Sequence, residues 1–337
     1  MLTQVGEVGF LGKSFCFSFL FLRICVIFCQ KVKTNMKRVT LSIIALLFCF
    51  NLKAWWDPGH LVVAMIAYMQ LNDQAKEKVD ELVKVLERDY PYVNHFAATG
   101  PWPDDLKAEG VRTYDSWHYT NLPYNPKGVA LFPSPEINVV WAINQMERVL
   151  GSSRARPVDK ARHLGFLVHL VGDIHQPLHS TSVHDNELPA GNVGGNAFPL
   201  DSDRWRNLHA LWDSGCGYLA DYNDINPYGT PKDKLTDEEI ARLWSLAEKI
   251  VAQVSKDDIV GLEQMDPDFW ALESHKLAIK YGYQGVNEIN DRGRKIWLKP
   301  NGTPSEMYLK NGQEVVVERL AAAGYRLGVM LNSLFGE

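Results

Sequence analysis

His169-Leu-Val-Gly-Asp173-Ile-His175-Gln-Pro-Leu-His179 closes an apolar run that begins at Leu164. In a helix, His169 and Asp173 are four apart and project from one face about a turn apart. Pro177 cannot continue that helix, so the chain folds back and His179 approaches from another side. Imidazole nitrogens and a carboxylate at this reach are zinc-type ligands. A single H-x-x-x-D is commonplace, and core histidines beside a helix-end charge are its ordinary meaning. A second copy changes the weighting: His209-Ala-Leu-Trp-Asp213 repeats the spacing in another helix-like segment.

Working outward, the periodicity is helical on both sides. Asp57 and Pro58 predict an N-cap and first helical residue, with an apolar helix through Leu71. A second helix over 73–88 carries Val79, Leu82, Val83 and Leu86 on one face. Further helices are expected over 137–150, 158–174, 204–214, 236–254, 266–280 and 314–335. The 158–174 segment is apolar nearly all round and so central. Residues 89–135 and 180–203 read as long ordered loops, and Asn301-Gly302 predicts a small hairpin near 296–309. No repeat or interdomain linker interrupts residues 55–337, so the expected fold is all-α, one mostly helical domain.

The first 54 residues differ in kind. Met36-Lys37-Arg38, an apolar run from Val39 to Phe50 and Leu52-Lys53-Ala54 form a complete signal peptide over 36–54. Residues 1–35 then read as an over-extended start. The leader holds seven Lys/Arg, one Glu and four of the five cysteines, leaving residues 55–337 with a net charge of −11 and only Cys216. A secreted or periplasmic protein with one thiol has no internal disulfide framework. No membrane anchor is expected after processing. The acidic balance disfavours a basic DNA-binding module. An anionic substrate would need local cations, for which metal ions are the obvious candidates.

Three more ligand types sit in the N-terminal third: His60, Asp104 in Trp102-Pro103-Asp104, and His118 in Trp117-His118-Tyr119-Thr120-Asn121. Singly each is bland. In order, an N-terminal Trp five residues before a His, W-x-D, H-Y-x-N, H-x-x-G-D-x-H-Q-P-L-H, G-G-N and L-H-x-x-W-D resemble the trinuclear-zinc, single-strand-specific nucleases. These are the type I nucleases and 3′-nucleotidases, relatives of the zinc-dependent phospholipases C. The resemblance runs from Trp55 to the segment 319–327.

The resemblance implies three Zn2+ ions. Asp104, His118 and His169 would hold one, and Asp173 would bridge it to a second held by His60 and by the α-amine and carbonyl of Trp55. His179, His209 and Asp213 would hold the third. A hydroxide on zinc would attack phosphorus in line, with Asp104 orienting it and Lys107 neutralising phosphate charge where the family often has Arg. Tyr119 would stack a base and Asn121 read its edge. The implied substrates are single-stranded DNA and RNA, giving 5′-phosphorylated products, and 3′-nucleotides. No stable protein partner is implied, and the chain is expected to be a monomer. Ser214 and Asn192 depart from the family pattern, which commonly has Asn and Asp there.

Two rivals remain. A phospholipase C on this scaffold would carry Glu where Asp213 stands, although the Trp- and Tyr-rich segment 89–124 leaves room for an aromatic cage around choline. A non-catalytic zinc-stabilised protein would be satisfied by four ligands.

Overall fold

Proline at the first turn, or a side chain that takes up free amides, marks where most helices begin. In the computed structural model, which describes residues 55–227, 229–284 and 298–336, α1 spans Asp57–Gln70 with Pro58 in its first turn. Asp57 is not the N-cap expected of it; Trp56 holds that position and Asp57 is already helical. Asn72 caps α2 (Asp73–Glu87), and Pro103 lies in the first turn of α3 (Trp102–Ala108). Asn138 caps α4 (Val139–Gly151), and Pro157 opens α5 (Pro157–His175). Asn207 caps α6 (Leu208–Asp213), and Thr236 and Glu239 form a capping box on α7 (Asp237–Gln253). Asp266 caps α8 (Pro267–Leu277), which runs on as a π-helical turn, Ala278–Tyr283. Ser305 caps α9 (Glu306–Phe335).

The centre of the bundle is α5, where every residue from Leu164 to His175 is buried. Helices α1, α2, α3, α4, α8 and α9 pack around it. The mostly helical fold is as expected. Among the described residues the only sheet is a parallel pair, β1 (Pro123–Tyr124) beside β2 (Ser182–Val183). It ties the segment after His118 to the segment after His179.

The hairpin near 296–309 does not form among the described residues, which exclude 296 and 297. Asn301 does make a left-handed turn, at φ 59°. Gly302, however, bridges to Leu200, and the Ser305 cap starts α9 at once. A distant strand partner and a helix cap thus take the residues that a second hairpin strand would need. For the same reason α9 begins eight residues before the position 314 expected from periodicity. The leader, 1–54, lies outside the described residues. Among those described, no helix is long and apolar enough to cross a membrane.

Helix α9 crosses close to α1 at Gly324, where an added Cβ would lie 2.4 Å from the Ile66 Cγ2 atom. Ile66 is β-branched and fully buried, so neither helix can yield cheaply. Gly324→Ala is expected to destabilise the fold by about 1–3 kcal/mol through overpacking. Urea denaturation checks this, and an unchanged midpoint would contradict so tight a crossing.

Candidate metal centre

Six separate elements deliver side chains to one buried point. Helix α5 presents His169 and Asp173 one turn apart, with His169 Nε2 3.1 Å from Asp173 Oδ2. From α1, His60 places Nε2 3.4 Å from Asp173 Oδ1 and stacks its ring 3.9 Å from that of His169. The short turn Asp115–His118 brings His118 Nδ1 to 3.0 Å from Asp173 Oδ2 and 2.9 Å from His169 Nε2. Helix α3 adds Asp104, whose Oδ1 is 3.7 Å from His118 Nδ1 and 3.9 Å from His169 Nε2. Beyond Pro177, a 3-10 turn carries His179 to within 3.8 Å of Asp213 Oδ1. His209 lies one turn before Asp213 on α6, Nε2 to Oδ2 3.5 Å.

These donors form three buried groups: His60, His169 and Asp173; Asp104, His118 and His169; His179, His209 and Asp213. Within each group the ligand atoms lie within 4.8 Å of one another. Three rings are aimed from behind. His169 Nδ1 donates to the Gly100 carbonyl at 2.7 Å, His179 Nδ1 to the His118 carbonyl at 2.6 Å, and His209 Nδ1 to the Gly194 carbonyl at 2.7 Å. In a neutral ring each such bond fixes the tautomer and leaves Nε2 with a lone pair facing the centre.

The donor set fits divalent cations on a separate ground. Both nitrogens of His60, Asp104 Oδ1 and Asp173 Oδ1 are buried without a hydrogen-bond partner. Burying such groups unpaired is unfavourable by several kcal/mol, so the arrangement makes sense as a set of ligands. Burial holds His60 and His118 well below the ordinary imidazole range, keeping them neutral. Burial also pushes the Asp173 carboxyl up to about 7, against the pull of His169. A carboxylate there requires positive charge beside it.

The S1/P1 Nuclease family model matches residues 55–336. The chain belongs to the S1/P1 nuclease family. It is similar to Endonuclease 2 of Arabidopsis thaliana, 26% identical over 302 residues, 85% of this chain and 92% of that protein. It is also similar to Nuclease S1 of Aspergillus oryzae, 30% identical over 182 residues, 52% of this chain and 54% of that protein. Nuclease P1 of Penicillium citrinum is 26% identical over 168 residues, covering 48% and 57% respectively. The chain is accordingly a nuclease, a hydrolase of phosphodiester bonds in nucleic acid.

The remaining expected residues take varied positions in this S1/P1 nuclease. Trp55 is fully buried; its indole donates to the Gly172 carbonyl at 3.0 Å. The Trp56 amide donates to the Asp213 carbonyl at 2.9 Å, so the start of the domain is wedged between the two H-x-x-x-D segments. Lys107 is buried with Nζ 4.0 Å from Asp104 Oδ1, and that ammonium has no hydrogen-bond partner. Tyr119 and Asn121 are half-buried while His118 and Thr120 between and before them are buried. This alternation puts Tyr119 and Asn121 on one side of an extended segment. The Thr120 amide donates to the His179 carbonyl at 2.8 Å, which holds that segment beside the centre.

Two features were not anticipated, and a third, His175 as a packing residue and not a ligand, is as expected. Gln176 donates to Asp213 Oδ1 at 2.6 Å; it stood inside the quoted motif, and its contact needed the folded turn to be seen. Lys232 donates to Asp57 Oδ2 at 2.8 Å and to the Asn226 carbonyl at 2.6 Å, and lies 3.0 Å from Asp105 Oδ1. That one ammonium joins the heads of α1 and α3, the helices bearing His60 and Asp104. Asp105 is nevertheless pushed up to about 7 by burial, which Lys232 only partly offsets. His175 donates from Nδ1 to the Val171 carbonyl and accepts from Arg326 at 3.0 Å, so it braces the end of α5 instead of joining the ligands.

Proposed function

We propose that the chain beginning at Trp55 is an exported, trinuclear-zinc endonuclease cutting single-stranded DNA and RNA to 5′-phosphorylated products, with 3′-nucleotidase activity. The observation that carries this is the convergence of eight buried histidine and aspartate side chains, several with donor atoms lacking any partner, in an S1/P1 nuclease. Asp104, His118 and His169 would hold one ion, and His179, His209 and Asp213 another. His60, Asp173 and the amine and carbonyl of Trp55 would hold the third. When bound, zinc supplies a water acidic enough to ionise near neutral pH and neutralises charge on phosphate oxygens.

The chain's own groups do the rest. Asp104 offers a carboxylate oxygen to orient the attacking water, and Lys107 places a positive point charge within reach of the same aspartate. Tyr119 stacks an unpaired base and Asn121 reads its edge. A paired base cannot enter such a slot, which gives single-strand preference. Stacking contributes about 1–3 kcal/mol per base. Tyr119→Ala is therefore expected to lower kcat/KM on single-stranded DNA by roughly 5- to 150-fold, while hydrolysis of a small phosphate ester changes less than about twofold. A uniform loss on both substrates would argue against stacking.

Export enters through the amine. A terminal α-amine titrates near ~7.7–8.0 and can offer a lone pair to zinc, whereas an amide cannot. The family match beginning at residue 55 and the buried seat of Trp55 support cleavage after Ala54, with 36–54 as the signal peptide. The chain then acts as a monomer without a membrane anchor or obligate partner. N-terminal sequencing of active protein is expected to give Trp-Trp-Asp-Pro. Full activity in a protein retaining Ala54 would sink the amine ligand.

A further inference from the structure

The turn Asn192-Val193-Gly194-Gly195 carries a backbone anomaly beside the centre. Val193, Gly194 and Gly195 all have positive φ, at 53°, 60° and 84°. Glycine takes such angles freely, but a β-branched valine resists them. Strained backbone of this kind persists only where its surroundings over-determine it. The turn is also tight: a Cβ at Gly194 would lie 2.5 Å from the Leu178 carbonyl oxygen and 3.2 Å from His209 Nδ1.

What over-determines the turn is a single amide. Asn192 is 2% exposed, and its Oδ1 accepts from three donors. These are the Val183 amide at 3.0 Å, the Gly195 amide at 3.2 Å and the Tyr283 hydroxyl at 3.2 Å. Those donors belong to β2, to the turn itself and to the π-helical segment. The Ser182 hydroxyl adds a fourth tie by accepting from the Val193 amide at 3.2 Å. The product of this clamp is the direction of one carbonyl. Gly194 faces its oxygen to His209 Nδ1, the bond that leaves His209 Nε2 turned toward Asp213.

We propose that Asn192 is a positioning residue for His209: it holds Val193–Gly195 in its left-handed path and, through the Gly194 carbonyl, sets the tautomer and aim of that imidazole. The inference rests on the reading of His179, His209 and Asp213 as metal ligands. It assigns the work to the acceptor oxygen of Asn192 and predicts that a carboxylate oxygen would serve equally well.

The test uses the processed full chain in wild-type, Asn192→Asp, Asn192→Leu and Tyr283→Phe forms. Zinc retention is measured by competition with a chromogenic chelator, kcat and KM on a single-stranded DNA oligomer, and the thermal midpoint on metal-free protein. Outer-shell partners of metal ligands typically change affinity or activity 10- to 100-fold. Asn192→Leu is expected to weaken zinc retention and lower kcat by at least about tenfold, with KM little changed. Asn192→Asp is expected to stay within about threefold of wild type. Wild-type zinc retention in Asn192→Leu overturns the inference, as does an Asp variant that fails as badly as Leu. So does a loss confined to the metal-free midpoint, which marks a merely structural role. Should Asn192→Leu not fold, Tyr283→Phe decides: weaker retention supports the clamp and wild-type retention overturns it. A wild-type protein that neither binds zinc nor cuts nucleic acid would instead overturn the underlying metal-site reading.

Discussion

Asp173→Asn is expected to reduce hydrolysis by about a thousandfold or more. The carboxylate is fully buried and faces His60 at 3.4 Å, His118 at 3.0 Å and His169 at 3.1 Å. Asparagine preserves shape but removes the negative charge, and its N–H end offers a cation no lone pair. Removing one unit charge about 4 Å from a cation, at an effective dielectric near 20, forfeits about 4 kcal/mol. That is close to three orders of magnitude in rate. Asp185→Asn is the control, since its side chain merely accepts the Glu187 and Leu188 amides in a half-buried turn. That change is expected to stay within about twofold, in line with surface substitutions generally. Equal losses in steady-state assays would contradict the central place given to Asp173.

The second large effect is metal removal. Chelation is expected to abolish hydrolysis, zinc to restore it, and the melting temperature to fall steeply in between. His60, Asp104 and Asp173 are left with buried atoms that have no partner in the protein, so binding energy at the centre is folding energy as well. A site filled at a hundredfold above its Kd contributes about 2.7 kcal/mol. Three such sites correspond to a drop of roughly 15 °C or more for a domain of this size. Calorimetry with and without chelator measures it. Hydrolysis persisting in protein shown to be metal-free would defeat the mechanism.

Much of this was legible before any coordinates because its signals are local. Two H-x-x-x-D spacings translate directly into pairs on helix faces, and the apolar surround of His169 marks α5 as central. Pro177 correctly separates His179 from the helix before it. Motif order supplied His60, Asp104 and His118, which no local pattern singles out. Longer-range matters were not legible. Nothing near Lys232 signals that it pairs with Asp57, 175 positions away. Asn192 received no role because its value lies in three donors drawn from distant elements. Asn301-Gly302 does turn, but the expected hairpin does not form because Gly302 pairs with Leu200 rather than with a neighbouring strand, an outcome set by tertiary pairing.

One practical consequence comes from the two hydrogen bonds that seat Trp55 and Trp56 against Gly172 and Asp213. Those bonds hold the start of α1 against the ends of α5 and α6 that carry Asp173 and Asp213. A purification handle is accordingly better attached after α9 than beside Trp55, where it would bear on residues that position the ligand candidates.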